Sequence, residues 1–133
     1  MDYKGFKNEL NNYYRHLRNV DRIKEEIDDI VYEMTGVKGV RYDKERSSFN
    51  PTLSEERRDY LSKKLEEKEI ELNYTLAAIR FIEMNLKKLN KDDREMCLKV
   101  VADEVSAELV AVEKGYSRSG VWARIRREIS KIL

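Results

Sequence analysis

Five basic side chains gather in the last nineteen residues of this 133-residue chain: Arg118, Arg124, Arg126, Arg127 and Lys131, against one acid, Glu128. The local charge is +4 in a chain whose net charge is +1, so residues 1–114 carry −3. Cations concentrated in this way bind polyanions by displacing condensed counterions. Guanidinium groups can also read a guanine edge through paired hydrogen bonds. A solvated helix end favoured by the helix dipole has the same composition. What positions the cations must decide between the two.

Just ahead of them runs Val110-Ala111-Val112-Glu113-Lys114-Gly115-Tyr116-Ser117-Arg118-Ser119-Gly120-Val121. A helix-turn-helix needs a small residue where its second helix crosses the first, and Ala111 is small. Four positions later it needs a residue that accepts a left-handed backbone, and Gly115 does. Val121 locks the second helix down, and Ser117 caps it. In this frame Arg118, Ser119, Trp122, Ala123 and Arg126 turn outwards. Early residues of such a helix reach base edges in a major groove, so Arg118 is the expected base reader, and Ser119 suits either a base edge or a phosphate. Arg124, Arg126 and Arg127 are expected on phosphates. Trp122 is either a wedge against a thymine methyl or a packing residue against the preceding helix.

Other chemistries lack their parts. His16 is the only histidine, and no serine–histidine–acid set accompanies it. Cys97 is the only cysteine and sits among apolar neighbours, which fits an inert thiol in a reducing cytoplasm. The pairs Asp28-Asp29 and Asp92-Asp93 read as solvated faces or caps. Gly36 and Gly39 are not followed by a phosphate-loop Gly-Lys-Ser/Thr. The expectation is no enzyme, no catalytic or metal-binding residue and no cofactor. Apolar runs are too short to span a membrane, and Met1-Asp2-Tyr3-Lys4 has no apolar signal core. A cytoplasmic protein is expected.

The elements that carry this end follow from composition. Charged residues make up 40% and hydrophobic residues 41%, while Gly numbers 5 and Pro 1, too few turn residues for a sandwich or barrel. The class is all-α. Phe6, Leu10, Tyr13, Leu17, Val20, Ile27, Val31 and Met34 form a heptad seam over about residues 3–34, with Lys24 as its polar member. Leu61, Leu65, Lys68, Leu72, Thr75, Ile79, Ile82, Leu86 and Leu89 form another over 54–89, opened by a Ser54 cap. Laid antiparallel, residues whose numbers sum to 92 face each other in a coiled-coil-like hairpin, and Lys24 meets Lys68. Their ammonium groups then snorkel towards Glu25, Glu26, Glu67 or Glu71. A one-heptad shift, to a sum of 99, also matches the seams.

A second stripe flanks each seam: Ile23 and Ile30, then Ile70, Tyr74, Ala77, Ala78 and Phe81. It widens the hairpin contact, covers the C-terminal domain or receives a second subunit, and a homodimer through the hairpin is the favoured expectation. A mobile loop is expected over about 35–53, around Gly36, Gly39, Ser47, Ser48, Asn50 and Pro51. The domains are then a hairpin over 1–89 and a DNA-binding helix-turn-helix over 90–133, whose first helix starts on Asp92 or Asp93.

Two short motifs carry a resemblance: Met34-Thr-Gly-Val-Lys-Gly-Val-Arg-Tyr-Asp43, and Gly115-Tyr-Ser-Arg-Ser119 with Val121. With the layout of nearly the whole chain, they resemble the phage ArpU/RinA-like late-gene regulators, whose C-terminal part is similar to region 4 of sigma factors. The chain departs from that pattern at Lys114, where an apolar residue is usual and Val112 is the candidate substitute. It also lacks a glycine between Val101 and Ser106. The resemblance implies a sequence-specific regulator, a late-gene activator, that binds double-stranded promoter DNA and engages RNA polymerase in the cytoplasm of its bacterial host. Two other readings share the features: a small-terminase-like DNA-packaging recogniser, and a protein-interaction module such as a host-protein inhibitor.

Overall fold

A computed structural model describes residues 1–36 and 50–133. The described residues are helical, with no strand: α1 (Tyr3–Asn11), α2 (Tyr13–Thr35), α3 (Glu55–Leu86), α4 (Lys91–Cys97), α5 (Ala107–Lys114) and α6 (Arg118–Ile132). Most of the expected loop, and the first resemblance motif from Val37 onward, lie outside the described residues. Among the described residues no helix is long and apolar enough to cross a membrane.

The first expected helix is two. Asn12 sits at φ −92°, ψ 3°, its N–H shared between the carbonyls of Asn8 and Glu9. The ladder resumes when His16 N–H bonds Asn12 at 2.8 Å. The paired asparagines explain the interruption, because their side chains compete for backbone groups and favour helix ends. α3 starts as expected, with Ser54 Oγ accepting from Arg57 N–H at 3.1 Å. It stops at Leu86, three residues early, in a turn that buries Leu89 at 5% exposure.

The chain divides into two compact units, each with contributions from α2 and α3. The central unit, Arg18–Leu76, is the hairpin. Val31, Met34, Leu61 and Leu65 form its core, with Ile27, Ile30 and Leu53 packed against them. Its ion pairs fix the register. Glu33 with Arg57, Arg22 with Glu71 and Glu26 with Lys68 give sums of 90, 93 and 94, which cluster about 92 rather than 99. The expected lysine layer is corrected. Ile23 is fully buried and Lys24 is exposed, so an isoleucine fills the slot. A straight helix repeats every 3.6 residues, and position 23 satisfies that repeat as well as 24 does. Lys68 does reach outwards, to Glu26 and Glu71. Its ammonium holds the Glu26 carboxyl below the usual range.

The terminal unit joins Met1–Leu17 to Ala77–Leu133, so α1 and the end of α3 belong with the helix-turn-helix and the boundary is not at 89/90. Phe6, Leu10, Ile82 and Leu86 enter one core with Met96, Cys97, Val100, Val101, Val110, Val121, Ile125 and Ile129. Hydrophobic burial asks for this: α4 to α6 alone are short and need a lid. The cap of α4 is Asn90, whose Oδ1 accepts from Asp93 N–H at 2.8 Å, and not Asp92 or Asp93. That leaves the Asp93 carboxylate free to turn inwards. α4 runs on into a π-helical turn over Leu98–Ala102, closed by Asp103 N–H on the Leu98 carbonyl at 2.8 Å. The missing glycine of the next link is replaced by strain: Glu104 adopts φ 56°.

Candidate nucleic-acid interface

The turn between α5 and α6 is built as its residues require. Gly115 takes φ 76°, and Tyr116 N–H closes back on the Ala111 carbonyl at 2.9 Å, the Schellman arrangement. Ser117 then caps α6, its Oγ accepting from Gly120 N–H at 3.0 Å. Gly120 is there for room as well as for the bond. A Cβ at this position would lie 3.0 Å from the Ser117 oxygen. Behind α6, Val121, Ile125 and Ile129 are all but fully buried, and Ala111 is buried on α5. These contacts fix which face of α6 looks outwards.

The sequence-derived residues separate into two groups. Arg118 is 69% exposed and its guanidinium lies 3.5 Å from Glu108, which is equally exposed. A surface pair of this kind is worth little and is readily exchanged for a phosphate or base. Ser119, Ala123, Arg126 and Arg127 are also exposed. Ser119 shares a hydrogen bond with Ser117 at 3.3 Å, Arg126 stacks over the Tyr3 ring at 5.7 Å, and Arg127 lies 3.3 Å from Glu128. Positions 118, 119, 123 and 126 recur at helical spacing and share one face.

Trp122 and Arg124 lie in the second group. Trp122 is half-buried and packs on the core, with the Lys7 ammonium 4.6 Å from the centre of its ring. Arg124 turns towards α4, where its Nε donates to the Asp93 carboxylate at 2.6 Å. Asp93 is 3% exposed and this bond raises the Arg124 pKa. The Arg124 guanidinium also stands 5.6 Å over the Tyr116 ring. It therefore ties the middle of α6 to α4, a role apart from the phosphate contact expected of it. Sequence reading missed Asp93, Tyr116, Lys7 and Tyr3. An acid in the first turn of a helix looks like a dipole partner, and only the fold brings it to an arginine 31 residues away.

Val112 does not stand in for the apolar residue before Gly115. It is 82% exposed, while Lys114 is half-buried with its ammonium 3.8 Å from Asp92. Cys97 is buried, and burial pushes its thiol up to about 12, far from a thiolate at neutral pH. His16 lies 3.4 Å from Glu9 on a partly buried stretch of helix. Among the described residues no cluster of His, Cys, Asp or Glu could hold a metal ion. Compared with family models, curated proteins and solved structures, the chain has no match.

Proposed function

We propose that this protein is a sequence-specific double-stranded DNA-binding regulator of transcription whose α6 enters the major groove. One observation carries the reading. α6 is capped by Ser117 and packed from behind, yet its Arg118–Ser119–Ala123–Arg126 face is left exposed and basic. Arg118 opens the helix, where recognition helices meet base edges. Arg126 and Arg127, two turns on, are placed to hold phosphates. Promoter DNA and bacterial RNA polymerase are the proposed partners, and the likeness to phage late-gene regulators supplies the proposed setting. Leu109 and Val112 are exposed apolar residues on α5, 61% and 82% accessible, and suit a protein contact such as polymerase.

The test is binding to a duplex selected from a random library, and to unselected duplex, across a salt series. Arg118→Ala should cost about 1–3 kcal/mol on the selected site and much less on random DNA. Arg126→Ala and Arg127→Ala should weaken both duplexes similarly and each lower the salt slope by about one. No duplex binding at low salt overturns the reading. A folded Arg118→Ala with an unchanged specificity ratio overturns the assignment of the base-reading residue.

A further inference from the structure

Within the terminal unit, the outward face of α6 has two flanks. α4 closes one of them, where Arg124 meets Asp93. α1 borders the other. Two contacts fix that border: the Lys7 ammonium lies 4.6 Å from the centre of the Trp122 ring, and the Arg126 guanidinium 5.7 Å from that of Tyr3. The residue numbers of each pair sum to 129, so α1 and α6 run antiparallel, with one helical turn between the contacts. Tyr3 and Trp122 are both packed against the terminal core. Each cation therefore sits on a ring that the core holds in place, which spares part of the entropy of ordering a long side chain.

Charge on α1 is divided by side. Lys4 is exposed and lies about 60° round the helix from Lys7, away from the buried Phe6 and Leu10. The acids are placed elsewhere. Asp2 is spent on the cap, its carboxylate accepting from Gly5 N–H at 2.8 Å. Glu9 is two residues, or about 200°, from Lys7 and lies 3.4 Å from His16. On α6, Glu128 is likewise about 200° from Arg126, and it is engaged by Arg127 and Lys131. Glu108 of α5 is engaged by Arg118. Among the described residues Lys4, Lys7 and Arg126 have no acid partner. Three cations held along one edge, beside a helix whose exposed face is basic, match the repeating charge of a nucleic-acid backbone.

We propose that α1 is a second arm of the nucleic-acid interface, in which Lys7 and Lys4 bind backbone phosphates of the duplex whose major groove receives α6. Arg126 joins the two arms, since it belongs to α6 and rests on Tyr3 of α1. Tyr3 and Trp122 are positioning residues: they hold the cations and do not themselves touch the duplex. The inference rests on the DNA-binding reading of α6 and adds contacts from the other end of the chain. Phosphate contacts carry no sequence information, so the arm supplies affinity and orientation while Arg118 supplies choice of site.

The experiment is binding of the full chain to a selected and an unselected duplex across a salt series. Lys4→Gln and Lys7→Gln should each lower the salt slope by about one and weaken both duplexes by the same factor, leaving the ratio between them unchanged. Lys7→Arg, which keeps a cation over Trp122, should keep the slope. Lys4 is exposed, so its variant should melt as the unaltered chain does. Glu9→Gln, on the far side of α1, should leave the slope as it is. Salt-dependent binding by the unaltered chain, with the same slope in both glutamine variants, overturns the α1 arm and leaves the α6 reading standing. A gain in affinity from Glu9→Gln as large as the loss from Lys4→Gln means that net charge acts in place of contact, and overturns the arm as well. No duplex binding by the unaltered chain at low salt overturns both.

Discussion

Asp93 shows how much one side chain decides. Asn90 takes over the cap of α4, which frees the Asp93 carboxylate to enter the interior at 3% exposure and meet Arg124. A buried carboxylate without its cation is costly, so losing the partner hurts more than the pair's net worth suggests. Arg124→Ala should therefore destabilise the chain by about 2–4 kcal/mol in urea denaturation. Removing Asp93 and Arg124 together should cost less than Arg124→Ala alone, since no unpaired charge is then left inside. Additive losses would show that the two side chains act separately. The pair was invisible in the sequence for a physical reason: Asp92 and Asp93 are chemically alike, and only helix phase puts one in water and the other inside.

At the scale of the element, the α5–α6 turn was legible because its rules are local. A small Ala111, a left-handed Gly115, a hydroxyl at Ser117 and an apolar Val121 each meet a requirement that spans at most a few residues. Helix interruptions were harder to read. Asn11-Asn12 carried a signal for the break after α1, but the seam through Phe6, Leu10 and Tyr13 ran straight across it. Lys24 against Ile23 was a choice between a 3.5 and a 3.6 repeat, which one heptad cannot separate. The link ahead of α5 shows the reverse situation: its left-handed position is filled by Glu104 at φ 56°, a conformation that burdens any residue with a Cβ. Glu104→Gly should raise stability by roughly 0.5–1 kcal/mol, part of the relief being offset by the looser unfolded chain. A lowered denaturation midpoint would mean that the glutamate side chain contributes more than its backbone costs.

For the molecule as a whole, the seam on α3 reads as one feature but serves two cores. Leu61 and Leu65 lie in the hairpin core, while Ile82 and Leu86 join Phe6, Val100 and Ile125. Periodicity reports which face of a helix is buried and is silent about what buries it, so the hairpin was foreseen and the partition was not. The terminal core gathers residues from both ends of the chain, and Val121 is fully buried in it. Val121→Asp places an unpaired carboxylate there and should cost more than about 4 kcal/mol, with amide protection lost across α4, α5 and α6. Retained protection in hydrogen exchange would remove the frame that sets the outward face of α6.

That frame has an evolutionary consequence. Ser119 and Ala123 are exposed and contribute nothing to the buried cluster, while Val121, Ile125 and Ile129 between them hold the helix in place. Mutations at positions 119 and 123 are thus nearly free of stability cost. Under the proposed DNA-binding reading, a lineage carrying this fold can drift through alternative side chains there and acquire a new target without first becoming a worse-folded protein.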